Sequence, residues 1–109
     1  MAIHFEKNND VSSLVIDDEM TIYTAAEQKD ILLEHLVSCQ ELELDLAKVS
    51  EIDSAGLQLL IMLKNEGHNA NKAVRIVHHS QAVVEVLELL HLSARFADPI
   101  MIPTEWQTS

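Results

Sequence analysis

Leu42-Glu43-Leu44-Asp45-Leu46 alternates apolar and acidic residues without a break. That is the period of a strand with one covered face and one wetter face. Leu14-Val15-Ile16 and Ile3-His4-Phe5 predict earlier strands, and Val74-Arg75-Ile76-Val77-His78 predicts a later one. Between them the period becomes helical. Leu32, Leu33, Leu36 and Val37 recur at helical spacing, behind a Thr-x-x-Glu capping box formed by Thr24 and Glu27. Ser54 opens a second helix that runs to about Glu66, with Gly67 closing it where a left-handed residue is wanted. Ser80 caps a third, with Val83, Val84, Leu87 and Leu90 on its inner stripe. Phe96 to Ile102 is expected to return as a last short strand.

Strands and helices in this alternation predict an α/β domain with right-handed crossovers. A sheet covered on both faces reads as continuous apolar runs. The Leu–acid alternation instead predicts a mixed sheet of about four to five strands with helices mainly on one face. Arg75 should then lie near Glu43 or Asp45 as a cross-strand pair. The 109 residues are one domain's length, and two glycines with two prolines leave no flexible linker. Residues 1–109 therefore read as a single domain, and 103–109, with the lone Trp106, as a loosely held tail.

Charge narrows the function. Seven Lys and Arg against eighteen Asp and Glu give a net charge of −11. Nucleic-acid affinity comes chiefly from neutralising phosphates, so DNA or RNA is a poor partner, and an anionic lipid surface equally so. The acidity suits a basic protein partner, or simply serves solubility. Hydrophobic residues make up 48% of the chain, which excludes a disordered tail. No apolar stretch approaches the roughly 20 residues of a membrane helix, so direct membrane insertion is not expected. Met1-Ala2-Ile3-His4-Phe5-Glu6 shows no secretory signal, and the single Cys39 cannot close an internal disulfide. A reducing cytoplasm is the expected location.

The informative junction is Val49-Ser50-Glu51-Ile52-Asp53-Ser54-Ala55-Gly56-Leu57, a strand exit running into a helix. As N-cap, the Ser54 hydroxyl would accept a first-turn N–H, a bond worth about 1 kcal/mol. Gly56 inside that turn costs roughly 1 kcal/mol against Ala, which makes sense if something approaches the backbone closely there. The helix is apolar almost all round. Gln58, Lys64 and Asn65 form its polar strip, with Met62 beside it as either a core residue or an adaptable contact. A phosphate on Ser54 would meet helix-terminal amides and add about two negative charges beside Asp53 and Glu51. That is the physics of a charge switch at an interface.

At this junction Ile52-Asp53-Ser54-Ala55-Gly56-Leu57 resembles the signature of STAS domains, the group that includes bacterial anti-sigma factor antagonists. The resemblance covers nearly the whole chain. The strand Leu42–Leu46 and the Asp-Ser-x-Gly-Leu helix start are similar to the family's centre, and Val83 to Phe96 to its final helix and turn. The resemblance implies that Ser54 is the phosphorylation target. It implies a non-catalytic, cofactor-free protein whose unphosphorylated form binds a serine kinase of the anti-sigma type. A metal-dependent Ser/Thr phosphatase would restore that form. The partner surface expected from the junction and its helix is Asp53, Ser54, Ala55, Gly56, Leu57, Gln58 and Met62. One stretch departs: Asp18-Glu19-Met20-Thr21-Ile22-Tyr23-Thr24 replaces the Gly-containing turn of many antagonists. That variant is more similar to STAS proteins of chemotaxis-like or other two-component systems. The alternative is thus a constitutive subunit of a signalling or membrane-transport assembly, with Ser54 only a helix cap.

Other constellations carry less. Asp17-Asp18-Glu19 could suggest a phospho-aspartate pocket, but Asp45 lies inside its strand and no Lys follows Lys72. His4, His35, His68, His78, His79 and His91 form no i, i+4 pair with a carboxylate on one helix, so no metal site is expected. Cys39 has acidic Glu41 nearby rather than a base, and Ser54 has no catalytic partner in the adjacent sequence. A glycine-rich phosphate loop is also lacking.

Overall fold

The alternation along the strands decides which side of the sheet the helices occupy. The computed structural model describes residues 3–96, with side chains described as far as Leu89. Its elements are β1 (Ile3–Asn8), β2 (Val11–Ile16), α1 (Ala25–Val37), β3 (Glu41–Leu46), α2 (Ser54–Asn69), β4 (Ala73–His79) and α3 (Gln81–Phe96). They form a single α/β domain with a four-stranded sheet in the order β1-β2-β3-β4. β1 and β2 make an antiparallel hairpin turned at Asn9, which adopts a positive φ of 58°. Asn tolerates that region better than most residues. β2, β3 and β4 run parallel, joined by crossovers through α1 and α2.

In β2 and β3 every second residue is buried: Ser12, Leu14 and Ile16, then Leu42, Leu44 and Leu46. The apolar ones among them pack with Leu32 and Leu36 of α1, Leu59, Leu60 and Leu63 of α2, and Val83 of α3 in one core. Each fully buried leucine contributes about 1.5–3 kcal/mol of transfer free energy. The helices thus cover one face, as the alternation predicts. On the other face Arg75 stands directly opposite Glu43, its Nη2 2.7 Å from Glu43 Oε2 and its Nε 2.5 Å from Glu41 Oε1. Asp45 pairs instead with His78, 3.1 Å away. The register slips between Asp45 and Leu46, which leaves His78 as an extra residue at φ 54°. That is the kink of a β-bulge.

Several sequence expectations are corrected. α2 does not stop at Gly67. It runs on to Asn69 with Ala70 as C-cap, and Asn71 takes the left-handed conformation at φ 58°. Gly67 is needed for contact rather than for a turn, because a Cβ there would overlap Val74 Cγ2 of β4. The Thr24–Glu27 capping box does not form. The turn before α1 is already helical, with the Thr24 and Ala25 amides bonding to Thr21 O, so the Thr24 hydroxyl points back into the loop. Val37 is exposed, since α1 ends there and Leu36 takes the inner position. Phe96 belongs to α3 rather than to a strand, and the remainder of the expected strand, 97–102, lies outside the described residues, as does the tail. Ser80 does cap α3: its Oγ accepts the Val83 amide at 3.3 Å.

Candidate functional site

Two loops meet at the exits of β2 and β3. Met20 N donates to Glu51 O at 2.7 Å, and Asp53 N donates to Met20 O at 3.2 Å. Met20 and Ile52 form a single parallel bridge there. Above it lies the first turn of α2. A Cβ on Gly56 would overlap the Met20 carbonyl, so the group that must approach this backbone is the chain's own β2–α1 loop. The glycine is explained without an external partner.

Ser54 is not the N-cap. That role falls to Asp53, which is extended at φ −116° and accepts the Ala55 and Gly56 amides on Oδ1 at 2.9 and 3.1 Å. Its other oxygen, Oδ2, accepts the Ile22 amide at 2.9 Å. The Ile22 amide is the largest influence on this carboxyl, joined by those of Gly56 and Ala55 against a smaller desolvation effect. Together they hold it below the usual carboxylate range. Asp and Ser are equally good caps in sequence terms, so spelling alone does not say which of two neighbours takes the position. Displacing Ser54 by one place has a chemical consequence. As the first residue of α2 it is exposed, and among the described residues its hydroxyl has no hydrogen-bond partner.

The rest of the predicted surface divides by burial. Gln58 is exposed, while Ala55 and Met62 are half-buried. These three, with Ala25, Ala26, Lys29 and Leu59, line a shallow groove of about 360 Å³ between α1 and α2. Gly56 and Leu57, expected on the contact surface, are instead buried away from the groove, Gly56 against the Met20 backbone. Leu57 packs with Ile61 against Val86 and Leu87 of α3. Lys64, placed on the polar strip by sequence, reaches back to β4, its Nζ donating to Val74 O at 2.9 Å, and burial lowers its pKa.

Sequence reasoning missed the loop at 19–24. Glu19 O accepts from Thr24 Oγ1 at 2.9 Å and from buried Gln28 Nε2 at 2.8 Å, and Glu19 Oε2 accepts from the Thr21 hydroxyl. Thr24 Oγ1 in turn accepts the Thr21 amide at 2.9 Å. This network fixes the flanks of a loop whose tip, Ile22 and Tyr23, is 71% and 89% exposed. Asp18, weighed in the sequence for a phospho-aspartate pocket, instead accepts the Glu19 amide on its carboxylate and the Ser50 amide on its carbonyl. The clustering of Thr21, Thr24 and Gln28 behind Glu19 was the available signal. Among the described residues no helix is long and apolar enough to cross a membrane.

Over residues 3–102 the sequence matches the protein family described as Mlab, STAS domain. No curated protein matches it. Among solved structures, a Thermotoga maritima protein assigned as an anti-sigma factor antagonist is similar at 23% identity and a TM-score of 0.73, covering 90% of this chain and 87% of that one. An anti-sigma factor antagonist from Mycobacterium paratuberculosis gives 22% identity and 0.71, covering 92% and 86%. The Bacillus cell fate determinant SpoIIAA in its phosphorylated form gives 13% and 0.67, covering 92% and 93%. At these identities the likeness is one of fold.

Proposed function

The chain belongs to the STAS domain family, and on that footing we propose that it is a phosphorylation-switched, non-catalytic protein-binding domain of the anti-sigma factor antagonist type. Ser54 is the phosphoacceptor. The observation that carries this reading is the exposed hydroxyl of Ser54, without a hydrogen-bond partner among the described residues, beside the capping carboxylate of Asp53. A residue that served only as a cap would spend its oxygen on the helix amides, and here Asp53 does that instead. The unmodified domain thus keeps its cap through Asp53 while the Ser54 hydroxyl stays available for chemistry.

In the unmodified state the domain offers Ala55, Gln58 and Met62 on the α1–α2 groove, with Asp53 and Ser54 at the start of the same helix, while buried Gly56 and Leu57 seat that helix start against Met20 and α3. A serine kinase of the anti-sigma type fits as the partner, and a Ser/Thr phosphatase as the enzyme that resets the switch. Phosphorylation places about two negative charges on a protein already at −11. A partner held by apolar contact and charge complementarity is then repelled, while the fold persists because no core residue is touched.

The test is partner capture by the parent, Ser54→Ala and Ser54→Asp. The reading predicts binding by parent and Ser54→Ala and loss with Ser54→Asp. Equal binding by all three contradicts the switch.

A further inference from the structure

The Ile22–Tyr23 tip places two large apolar side chains next to each other at the surface. A tyrosine and an isoleucine, 89% and 71% exposed, stand side by side on a loop whose flanks are tied down by the Glu19–Thr21–Thr24–Gln28 network. Neither residue belongs to the core cluster. A rigid aromatic with an aliphatic neighbour is the kind of anchor that carries binding energy at protein interfaces. The network reaches Thr21 and Thr24, and the Tyr23 amide leans on Thr21 Oγ1 at 3.3 Å. Ile22 itself has one hydrogen bond among the described residues, its amide to Asp53 Oδ2 across 31 positions. The same carboxylate holds Ala55 N and Gly56 N through Oδ1. The Met20 backbone bonds hold the base of the loop, and the Asp53 side chain ties the tip residue Ile22 itself to the helix start that carries Ser54.

We propose that Asp53 is a positioning residue that couples the state of Ser54 to the Ile22–Tyr23 tip. The site regulated is then an apolar contact surface as well as a patch of charge. This inference rests on the reading of Ser54 as phosphoacceptor. A phosphate on the residue next to Asp53 sets about two negative charges beside its carboxylate and competes for the Ala55 and Gly56 amides. Both effects act in the same direction. The carboxylate turns away, the Ile22 amide loses its acceptor, and the tip leaves the position in which it meets a partner. Asp18, Glu19 and Glu27 flank the tip in the chain, so the partner pocket that receives Ile22 and Tyr23 is apolar with a basic rim.

The experiment uses the full chain with phosphoserine genetically encoded at position 54, read by ¹H–¹⁵N NMR. The Ile22 amide is expected to exchange about tenfold faster in the phosphorylated chain, the loss of one hydrogen bond to a charged group, with a changed shift for Tyr23. The Leu44 amide serves as the core reference and should not change. Asp53→Asn keeps a capping oxygen but puts a donor where Ile22 needs an acceptor, so it should speed Ile22 exchange similarly. Ser54→Ala should match the parent. Unchanged Ile22 exchange in the phosphorylated chain overturns the coupling, whatever Asp53→Asn does. An effect of Ser54→Ala equal to that of phosphate also overturns it, since charge would not be the cause. Because the phosphate is installed synthetically, a cell that never modifies Ser54 would contradict the proposed function and leave this result readable.

Discussion

The Ile22 amide and the Asp53 carboxylate, 31 positions apart in sequence, lie 2.9 Å apart in space. That bond joins the loop after β2 to the start of α2. Together with the two amides of the α2 first turn it predicts how the domain responds to acid. Asp53 has a folded-state pKa below its ordinary value, with the Ile22 hydrogen bond the largest cause. A depressed carboxylate contributes stability that is present above its unfolded pKa and is lost as pH falls through the lower folded value. Urea midpoints should therefore hold near neutral pH as far as Asp53 is concerned and drop below the ordinary carboxylate range, near pH 4. Asp53→Ala should lower the midpoint at pH 7 and flatten the acid limb, whereas Asp53→Asn should flatten the limb with a smaller loss at pH 7.

A second acid-sensitive group acts at higher pH. His79 is half-buried at the end of β4, and burial, followed by the charge of neighbouring His78, lowers its pKa. Its stabilising share is complete above the unfolded value of about 6.5 and is lost as pH falls through the folded one. Stability should decline between pH 7.5 and 5.5, and His79→Leu should shrink that difference. An equal decline in parent and variant would contradict the assignment.

The two glycines should respond unequally to alanine. At Gly56 the added methyl meets the Met20 backbone carbonyl, which cannot move without breaking the Met20–Ile52 bridge. Gly56→Ala should cost about 3 kcal/mol or more. At Gly67 it meets Cγ2 of the buried, β-branched Val74 side chain and comes within 3.3 Å of the Lys72 carbonyl, against which the helix gains about 1 kcal/mol of propensity. Gly67→Ala should cost about 1 kcal/mol net, with Val74→Ala recovering part of it in a double-mutant cycle.

The two faces of β3 should differ in the same way. Leu44→Ala empties a fully buried position and should cost about 2–5 kcal/mol. Arg75→Ala removes contacts to Glu41 and Glu43 from a half-exposed side chain, and should cost less than about 1 kcal/mol, shrinking further in high salt.

These contrasts also mark what the sequence made legible. The Leu42–Leu46 alternation sufficed for the one-sided sheet, because a period of two belongs to one strand and needs no knowledge of its neighbours. Arg75 opposite Glu43 followed from the same parity. Gly56 was legible as an anomaly but not in its cause, since Met20 approaches from another part of the chain. Gly67 was misread for the same reason: its justification is Val74 on the next strand. At Asp53-Ser54 two good caps stand side by side, and only the backbone places the helix start between them. Ile22 and Tyr23 stand out in the sequence only as part of the departing stretch 18–24, and it takes the fold to show them at the surface.

The central claim is that the chemistry of this domain passes through one hydroxyl. Intact-mass analysis of the chain from its own cell, compared with Ser54→Ala expressed in the same way, tests it most directly. The account predicts a species heavier by one phosphate in the parent that disappears in Ser54→Ala. The same heavier species in both, or its lack in the parent while partner capture persists, would contradict it.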